Sequence, residues 1–227
     1  FDTASYYNKH KRLRYFGRDL MNTEIACYLS HKKAIDTFLD SEYDLALILE
    51  DDIQLREDFP EFIQPLKDLK DTFDIVRLYG NNKIMDARRR EIGLLGKDCW
   101  LVRHPSLYGG AHAYFISRKG ARKMKNFLKN YKTAYPIDTL FGRSWETNVD
   151  CLAAIAPDLA MQDLTFETTI GTERFNKNTN LTGTQGFFFR VNRALFKLSE
   201  NIQKTRYFTA RAPQDHQIRQ SIIKKQL

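Results

Sequence analysis

Glu50, Asp51 and Asp52 follow directly on the apolar run Leu45–Leu49. Three adjacent carboxylates repel one another, and a buried strand gains nothing by ending in them. Residues two apart in an extended chain point to the same side, so Glu50 and Asp52 form a pair. Such oxygen pairs hold Mg²⁺ or Mn²⁺, which keep waters and phosphate oxygens in their remaining positions. The chemistry is then an acidic clamp for a nucleoside diphosphate. A solvated strand end, or a cap on the next helix, would use the same residues. Tyr108-Gly109-Gly110-Ala111 is a second feature, because paired glycines at a strand break let a ligand approach the backbone closely. A plain tight turn also explains them. Asp138 follows Pro136-Ile137 and is either a general base held at a helix start or a simple N-cap. Glu24 and His31 are seven residues apart and share one helix face. His31 either touches a ligand or belongs to the core. Cys27, Cys99 and Cys151 are far apart and fit no metal-binding or disulfide framework, which reads as reduced thiols of a cytosolic protein.

The elements that must position these groups alternate between helix and strand. Asn22-Thr23 can cap a helix running to about Leu39, with Ile25, Tyr28, Leu29, Ile35 and Phe38 on its buried side. Leu45–Leu49 reads as a central strand covered on both faces. A helical period runs from Phe59 to Phe73, shortened or kinked by Pro65. Asp74–Tyr79 is the next strand, ended by Gly80-Asn81-Asn82. The polar stretch from Asn82 to Gly96, with Arg88-Arg89-Arg90, reads as a loop. Cys99–Arg103 and Ala111–Ser117 read as strands, Lys119–Tyr131 as a basic helix, and Leu152–Ile155 and Leu159–Gln162 as short apolar segments. The alternation predicts an α/β fold. At 227 residues the chain can bury a sizeable core, and no apolar run approaches the length of a membrane span. The polar, mixed start at Phe1 carries no secretion signal.

The net charge of +8 is unevenly placed. Residues 171–227 hold 11 Lys/Arg against 3 Asp/Glu, which leaves residues 1–170 neutral. A neutral body with a basic tail separates chemistry from attachment, and an anionic membrane or nucleic acid suits such a tail. Within it, Phe188, Val191, Leu195, Leu198 and Ile202 form a helical stripe, widened by Phe187, Phe189 and Phe196. Arg190, Arg193, Lys197 and Lys204 fall nearly opposite. The pattern is that of an interfacial membrane helix, or equally of a helix packing its stripe on the body with its charges in water. The second basic stretch, Ile218-Arg219 with Ile222-Ile223-Lys224-Lys225, adds attachment potential. Zinc-finger spacing and RNA-binding aromatic motifs are absent, which disfavours nucleic acid.

Four of these features occur in the order of a known family. Met21–His31 (MNTEIACYLSH) resembles its "GEIGC-LSH" helix, and Leu45–Ile53 (LALILEDDI) its acidic strand end. Gly109–Lys123 (GGAHAYFISRKGARK) with Pro136-Ile137-Asp138 follows, and Met161–Ile170 resembles its closing segment. Over residues 20–170 the chain resembles glycosyltransferase family 25, the lipooligosaccharide galactosyltransferases related to collagen galactosyltransferases. The resemblance implies a GT-A-like, Rossmann-type domain over residues 1–170 that binds a UDP-hexose, usually UDP-galactose, with Mn²⁺ or Mg²⁺. Residues 171–227 would be a basic, amphipathic helical extension. By the same resemblance Asp52 is the direct metal ligand with Glu50. Glu50, Asp51, His31, Gly109 and Gly110 line the donor, and Asp138 is the base of an inverting transfer that gives a β-linkage. The acceptor would be a glycolipid glycan at the inner face of a bacterial inner membrane, with no role for nucleic acid.

Two departures qualify the match. The family's opening strand and Arg-bearing loop have no counterpart, so the resemblance implies an N-terminal nucleotide-binding segment missing from this sequence, or weak donor binding. Asn22-Thr23 and Ala26 stand where the family has glycines, which questions any role for Glu24. The rival expectations are a catalytically inactive, membrane-bound scaffold of polysaccharide assembly and, last, a nucleic-acid binder.

Overall fold

The computed structural model describes residues 5–80, 87–106, 109–163 and 183–226. It is a mixed α/β fold, Rossmann-like in its layering, around a six-stranded sheet. The strands are β1 (Leu45–Leu49), β3 (Ile75–Tyr79), β4 (Arg90–Gly96), β5 (Cys99–Arg103), β6 (Ala113–Ser117) and β7 (Cys151–Ile155), in the order β1-β6-β3-β7-β5-β4. β3 and β7 pair in parallel, and the other neighbours are antiparallel. A small second sheet joins β2 (Ile53–Leu55) to β8 (Ala160–Gln162).

Side-chain alternation divides the core into two layers. Ile75, Tyr79, Tyr114, Ile116 and Ala153 face one side, where they meet α2 (Asn22–Asp40), α4 (Arg118–Leu128) and α5 (Ile137–Phe141). Val76, Leu78, Leu101, Phe115 and Leu152 face the other, against α3 (Pro60–Asp68) and α8 (Ala212–Gln226). Each element gives the sheet its apolar side, as the 3.6 and 2 periods demand. The remaining helices are α1 (Lys9–Phe16), α6 (Ser144–Thr147) and α7 (Gly183–Ala210).

Several local expectations need correction. β1 lies at the sheet edge, not its centre. Its apolar run is explained by both faces being packed, Ala46 and Ile48 on one layer and Leu45 and Leu47 on the other. The central, fully buried strands are β3, β6 and β7. The predicted loop from Asn82 to Gly96 ends in strand β4, because Ile92 and Leu95 are drawn into the core despite the surrounding arginines and glycines. Residues 81–86, Tyr108 and the closing segment 164–170 lie outside the described residues. The helix predicted from Phe59 to Phe73 ends at Asp68 and accommodates Pro65 inside it.

The start of α2 is fixed by Glu24 rather than by Asn22 or Thr23. Its Oε2 accepts the Met21 backbone N–H at 2.9 Å, the return half of a capping box. That contact gives Glu24 a structural use and explains its burial.

Of the two arrangements that its periodicity allows, the tail does not take the one with the stripe packed on the body. α7 turns Phe196 onto Tyr15 in a stack with centroids 4.4 Å apart, and Arg193 reaches the Tyr15 carbonyl at 3.5 Å. Glu200 pairs with Arg143. The side that carries Arg193, Phe196 and Glu200 therefore meets the body, Arg190 and Lys197 stay exposed, and the stripe faces outward, with Phe188 63 %, Leu195 61 % and Leu198 57 % exposed. In α8 the reverse holds. Ile218 and Ile222 enter the second core layer, so they are unavailable for attachment.

Candidate functional site

Antiparallel pairing sets the carboxyl ends of β1 and β3 beside the amino end of β6. The Glu50 backbone N–H donates to the His112 carbonyl at 2.8 Å, which ties the acidic segment to the strand that follows the glycine pair. Glu50 and Asp52 are half-buried and Asp51 is exposed. β8 lies over this segment. Gln162 Nε2 donates to Asp52 Oδ2 at 3.2 Å and the Asp163 N–H to the Asp52 carbonyl at 2.7 Å. Asp52 Oδ1 is buried with no hydrogen-bond partner among the described residues.

The glycine pair is held from below by Arg77, which is fully buried in β3. Its guanidinium donates to the Gly109 and Gly110 carbonyls, with Nε to Gly110 at 3.1 Å. Its Nη1 donates to the Asp138 carbonyl at 3.1 Å, so one side chain joins the glycine loop to the start of α5. Tyr79 O–H donates to the Gly109 carbonyl at 3.0 Å. Carbonyls that gather on a buried cation leave the opposite side of the loop free to face a ligand.

Gly109 and Gly110 adopt φ of +76° and +65°, a region that costs side-chain-bearing residues about 1–2 kcal/mol. A Cβ at Gly110 would also lie 2.4 Å from the His112 ring, whereas one at Gly109 meets nothing within 4 Å among the described residues. Gly110→Ala is therefore expected to lower the melting temperature by about 4–8 °C, at the ~2–4 °C per kcal/mol usual for this size. Gly109→Ala pays the backbone strain alone and falls less. Equal losses by differential scanning calorimetry would remove the contact with His112 from the account.

Around His31 the packing is tight. Its Nδ1 meets Tyr114 Oη at 3.1 Å and its Nε2 meets Glu50 Oε1 at 3.2 Å, and its ring lies edge-on to Phe141. Cys27, one helical turn earlier, places Sγ 3.8 Å from the same Glu50 oxygen. The hydrogen bond from His31 outweighs burial and holds the Glu50 carboxyl below the usual range. Burial, and then the charges of Glu50 and Asp138, push the Cys27 thiol up to about 12. Asp138 is half-buried at the head of α5, where Oδ1 accepts the Thr139 N–H.

Thus the structure gathers His31, Glu50, Asp52, Gly109, Gly110 and Asp138 around one end of the sheet. It adds two residues that motif reading passed over, Arg77 and His112. His112 is buried, and neither ring nitrogen has a partner of normal geometry among the described residues. Burial, followed by the charge of Arg77, lowers its pKa. Both residues interrupt strand-like apolar stretches, and a polar group placed there is costly unless it has work to do. That interruption was the available signal.

Residues 2–141 match the family model described as glycosyltransferase family 25, LPS biosynthesis protein. The chain belongs to glycosyltransferase family 25. The matched span runs from before α1 to the end of α5 and so contains every residue of the site gathered above except Gln162 and Asp163. A comparison with curated proteins returns no match. Membership makes the chain a glycosyltransferase of lipopolysaccharide biosynthesis, with a sugar donor and an acceptor as its ligands. The candidate site within the matched span thus comprises a carboxylate segment, a glycine loop and a second carboxylate, with Arg77 bonded to both the loop and the head of α5.

Proposed function

We propose that this family-25 member transfers a hexose from a UDP-sugar, UDP-galactose being the donor assigned, to a glycan of a lipooligosaccharide acceptor with inversion at the anomeric carbon. The observation that carries this reading is the Arg77 bridge, which joins the glycine loop to the Asp138 turn beside Glu50 and Asp52. The Asp138 carboxylate takes the proton of the acceptor hydroxyl as that oxygen attacks the anomeric carbon. The bond from that carbon to the diphosphate oxygen breaks and UDP leaves. The sugar lies along the Gly109–Gly110 backbone, with His112 as a neutral hydrogen-bonding group at its edge.

A divalent metal fits this site on one count. Asp52 Oδ1 is a buried carboxylate oxygen that lacks a partner among the described residues, and Mn²⁺ or Mg²⁺ prefers such ligands. Asp52 would hold the ion and Glu50 would contribute through its Oε2, since Oε1 faces His31 and Cys27. When bound, the metal neutralises the charge of the leaving diphosphate. The reading is tested by UDP release from a panel of UDP-hexoses, with acceptor glycolipid, in Mn²⁺ or chelator. Metal-dependent turnover of one donor supports it. Absence of turnover in every combination favours an inactive scaffold.

The outward stripe of α7 supplies the attachment reading. Phe187, Phe188, Val191, Leu195, Leu198 and Ile202 are exposed together, and Arg190, Lys197 and Arg206 are exposed on the same helix. No helix among the described residues is long and apolar enough to cross a membrane. An apolar face with flanking cations suits insertion at an anionic lipid surface. Each leucine buried there is worth roughly 1.5–3 kcal/mol, or about tenfold or more in partition. Leu195→Glu with Leu198→Glu should abolish retention on phosphatidylglycerol vesicles while the circular dichroism spectrum stays unchanged. Retention equal to the unaltered chain would refute the attachment.

A further inference from the structure

Cys27, His31 and Glu50 present one thiol sulfur, one imidazole nitrogen and one carboxylate oxygen, all within 4.8 Å of one another. Cys27 and His31 sit four residues apart on α2, which puts both side chains on one face. Glu50 comes from the far side, at the end of β1. Its Oε1 lies 3.8 Å from Cys27 Sγ and 3.2 Å from His31 Nε2. Tetrahedral zinc, with bonds of about 2.3 Å to sulfur and about 2.0–2.1 Å to nitrogen and oxygen, spaces its ligands at roughly 3.5 Å for sulfur to oxygen and 3.3 Å for nitrogen to oxygen. The sulfur–oxygen and nitrogen–oxygen spacings here differ from those by a few tenths of an ångström.

We propose that Cys27, His31 and Glu50 form a binding site for a thiophilic divalent cation, Zn²⁺ in the first instance, separate from the Asp52 position. The choice of ion follows from the donor set. A site with one sulfur, one nitrogen and one oxygen disfavours Mg²⁺ and Mn²⁺, which seek oxygens, and suits zinc. The orientation is already fixed by an outer partner. Tyr114, fully buried in β6, holds His31 Nδ1 at 3.1 Å and leaves Nε2 to face Glu50, the arrangement by which metal-bound histidines are usually aimed. Cys27 and Glu50 are half-buried, so an ion from solution reaches them. On binding, the Cys27 thiol gives its proton to solvent and the imidazole proton sits on Nδ1, facing the Tyr114 oxygen. Three protein ligands leave a fourth position for water, the open form of zinc site. Because Glu50 precedes Asp52 by two residues, zinc would take Glu50 from the donor side and so lower transfer. The alternative is an ion-free trio in which the thiol and imidazole donate to Glu50.

The site is tested on the full chain, stripped with chelator and titrated with Co²⁺ and then with Zn²⁺ against a chromophoric competitor. One equivalent of cobalt with a thiolate-to-cobalt charge-transfer absorption is expected. Cys27→Ser should remove that absorption and weaken zinc binding by at least about a hundredfold. Asp52→Asn should retain both, which separates this site from the proposed donor metal whatever becomes of transferase activity. Should Cys27→Ser not fold, alkylation of Cys27 in the unaltered chain gives the same answer, since zinc should slow it at least about tenfold against Cys99 and Cys151, which are buried. Absence of stoichiometric zinc, zinc binding indifferent to Cys27→Ser, or alkylation indifferent to zinc would each overturn the proposal.

Discussion

Asp52→Asn should reduce metal-dependent UDP release by at least about a hundredfold while leaving the fold as stable as before, or more so. The two halves of this expectation come from the same carboxylate. Its Oδ2 and its backbone carbonyl are held by Gln162 and Asp163, and its Oδ1 is buried without a partner among the described residues. An unsatisfied buried polar atom costs about 1–3 kcal/mol, more when charged. Asparagine keeps the shape and an acceptor for Gln162 and removes the charge, so nothing that supports the fold is lost. Removal of an electrostatic group that acts on a developing charge typically costs 10²–10³-fold in rate, about 3–4 kcal/mol. A structural aspartate would behave in the opposite way, with a lower melting temperature and a retained rate. Measuring both on one sample decides between them, and turnover within about threefold of the unaltered enzyme would remove Asp52 from the proposed mechanism.

How much of this was legible beforehand depends on the range of the interaction. The acidic segment, the glycine pair and Asp138 are short motifs with local chemistry, and each could be found on its own. What joins them is not local. Arg77 binds carbonyls 32 to 61 positions away, and no spacing rule announces such a contact. The only trace is a charged residue inside Ile75-Val76-Arg77-Leu78-Tyr79, where a strand would otherwise be wholly apolar. His112 leaves the same trace in Ala111-His112-Ala113.

The strand β4 was hidden for a different reason. Its arginines and glycines carry loop character, and only Ile92 and Leu95 respond to the core. For α7 the period correctly gave a helix with two faces, but period says nothing of which face turns inward. That was decided by Phe196, whose ring stacks on Tyr15, and by the pairing of Glu200 with Arg143. The apolar run of β1 misled in a third way. It reports coverage of two faces, which an edge strand between two helical layers also has.

The largest effect on stability is expected where the tail meets the sheet. Arg103 of β5 is 1 % exposed, and its Nε donates to Asp215 of α8 at 2.8 Å while its Nη2 donates to Asp150 at 3.1 Å. Arg90 adds a second bond to Asp215 at 2.7 Å. Tyr207 O–H and Gln214 Nε2 donate to Asp150 at 2.8 and 3.0 Å, so both carboxylates are satisfied, by donors from four elements. Taking one partner from a buried ion pair leaves an uncompensated charge and costs about 3–5 kcal/mol. Asp215→Ala, at ~2–4 °C per kcal/mol, should therefore lower the melting temperature by about 6–20 °C. Proteolysis should then begin near Arg211, as α8 separates from β4. A fall of less than about 2 °C would mean that Ile218 and Ile222 alone hold the helix. The network also sets an acid limit. Burial alone would raise the Asp150 carboxyl, but the hydrogen bonds and charge of Arg103 prevail and hold it below its ordinary value. A depressed native value places its contribution fully above the unfolded carboxylate range, near about 4, and removes it as the pH falls through that range and below. Arg103→Met withdraws the cation that depresses Asp150, so this variant should lose its acid-linked slope below about pH 4 as well as its melting temperature. Retention of the slope would assign acid sensitivity to other carboxylates and leave Asp150 a merely hydrogen-bonded acid.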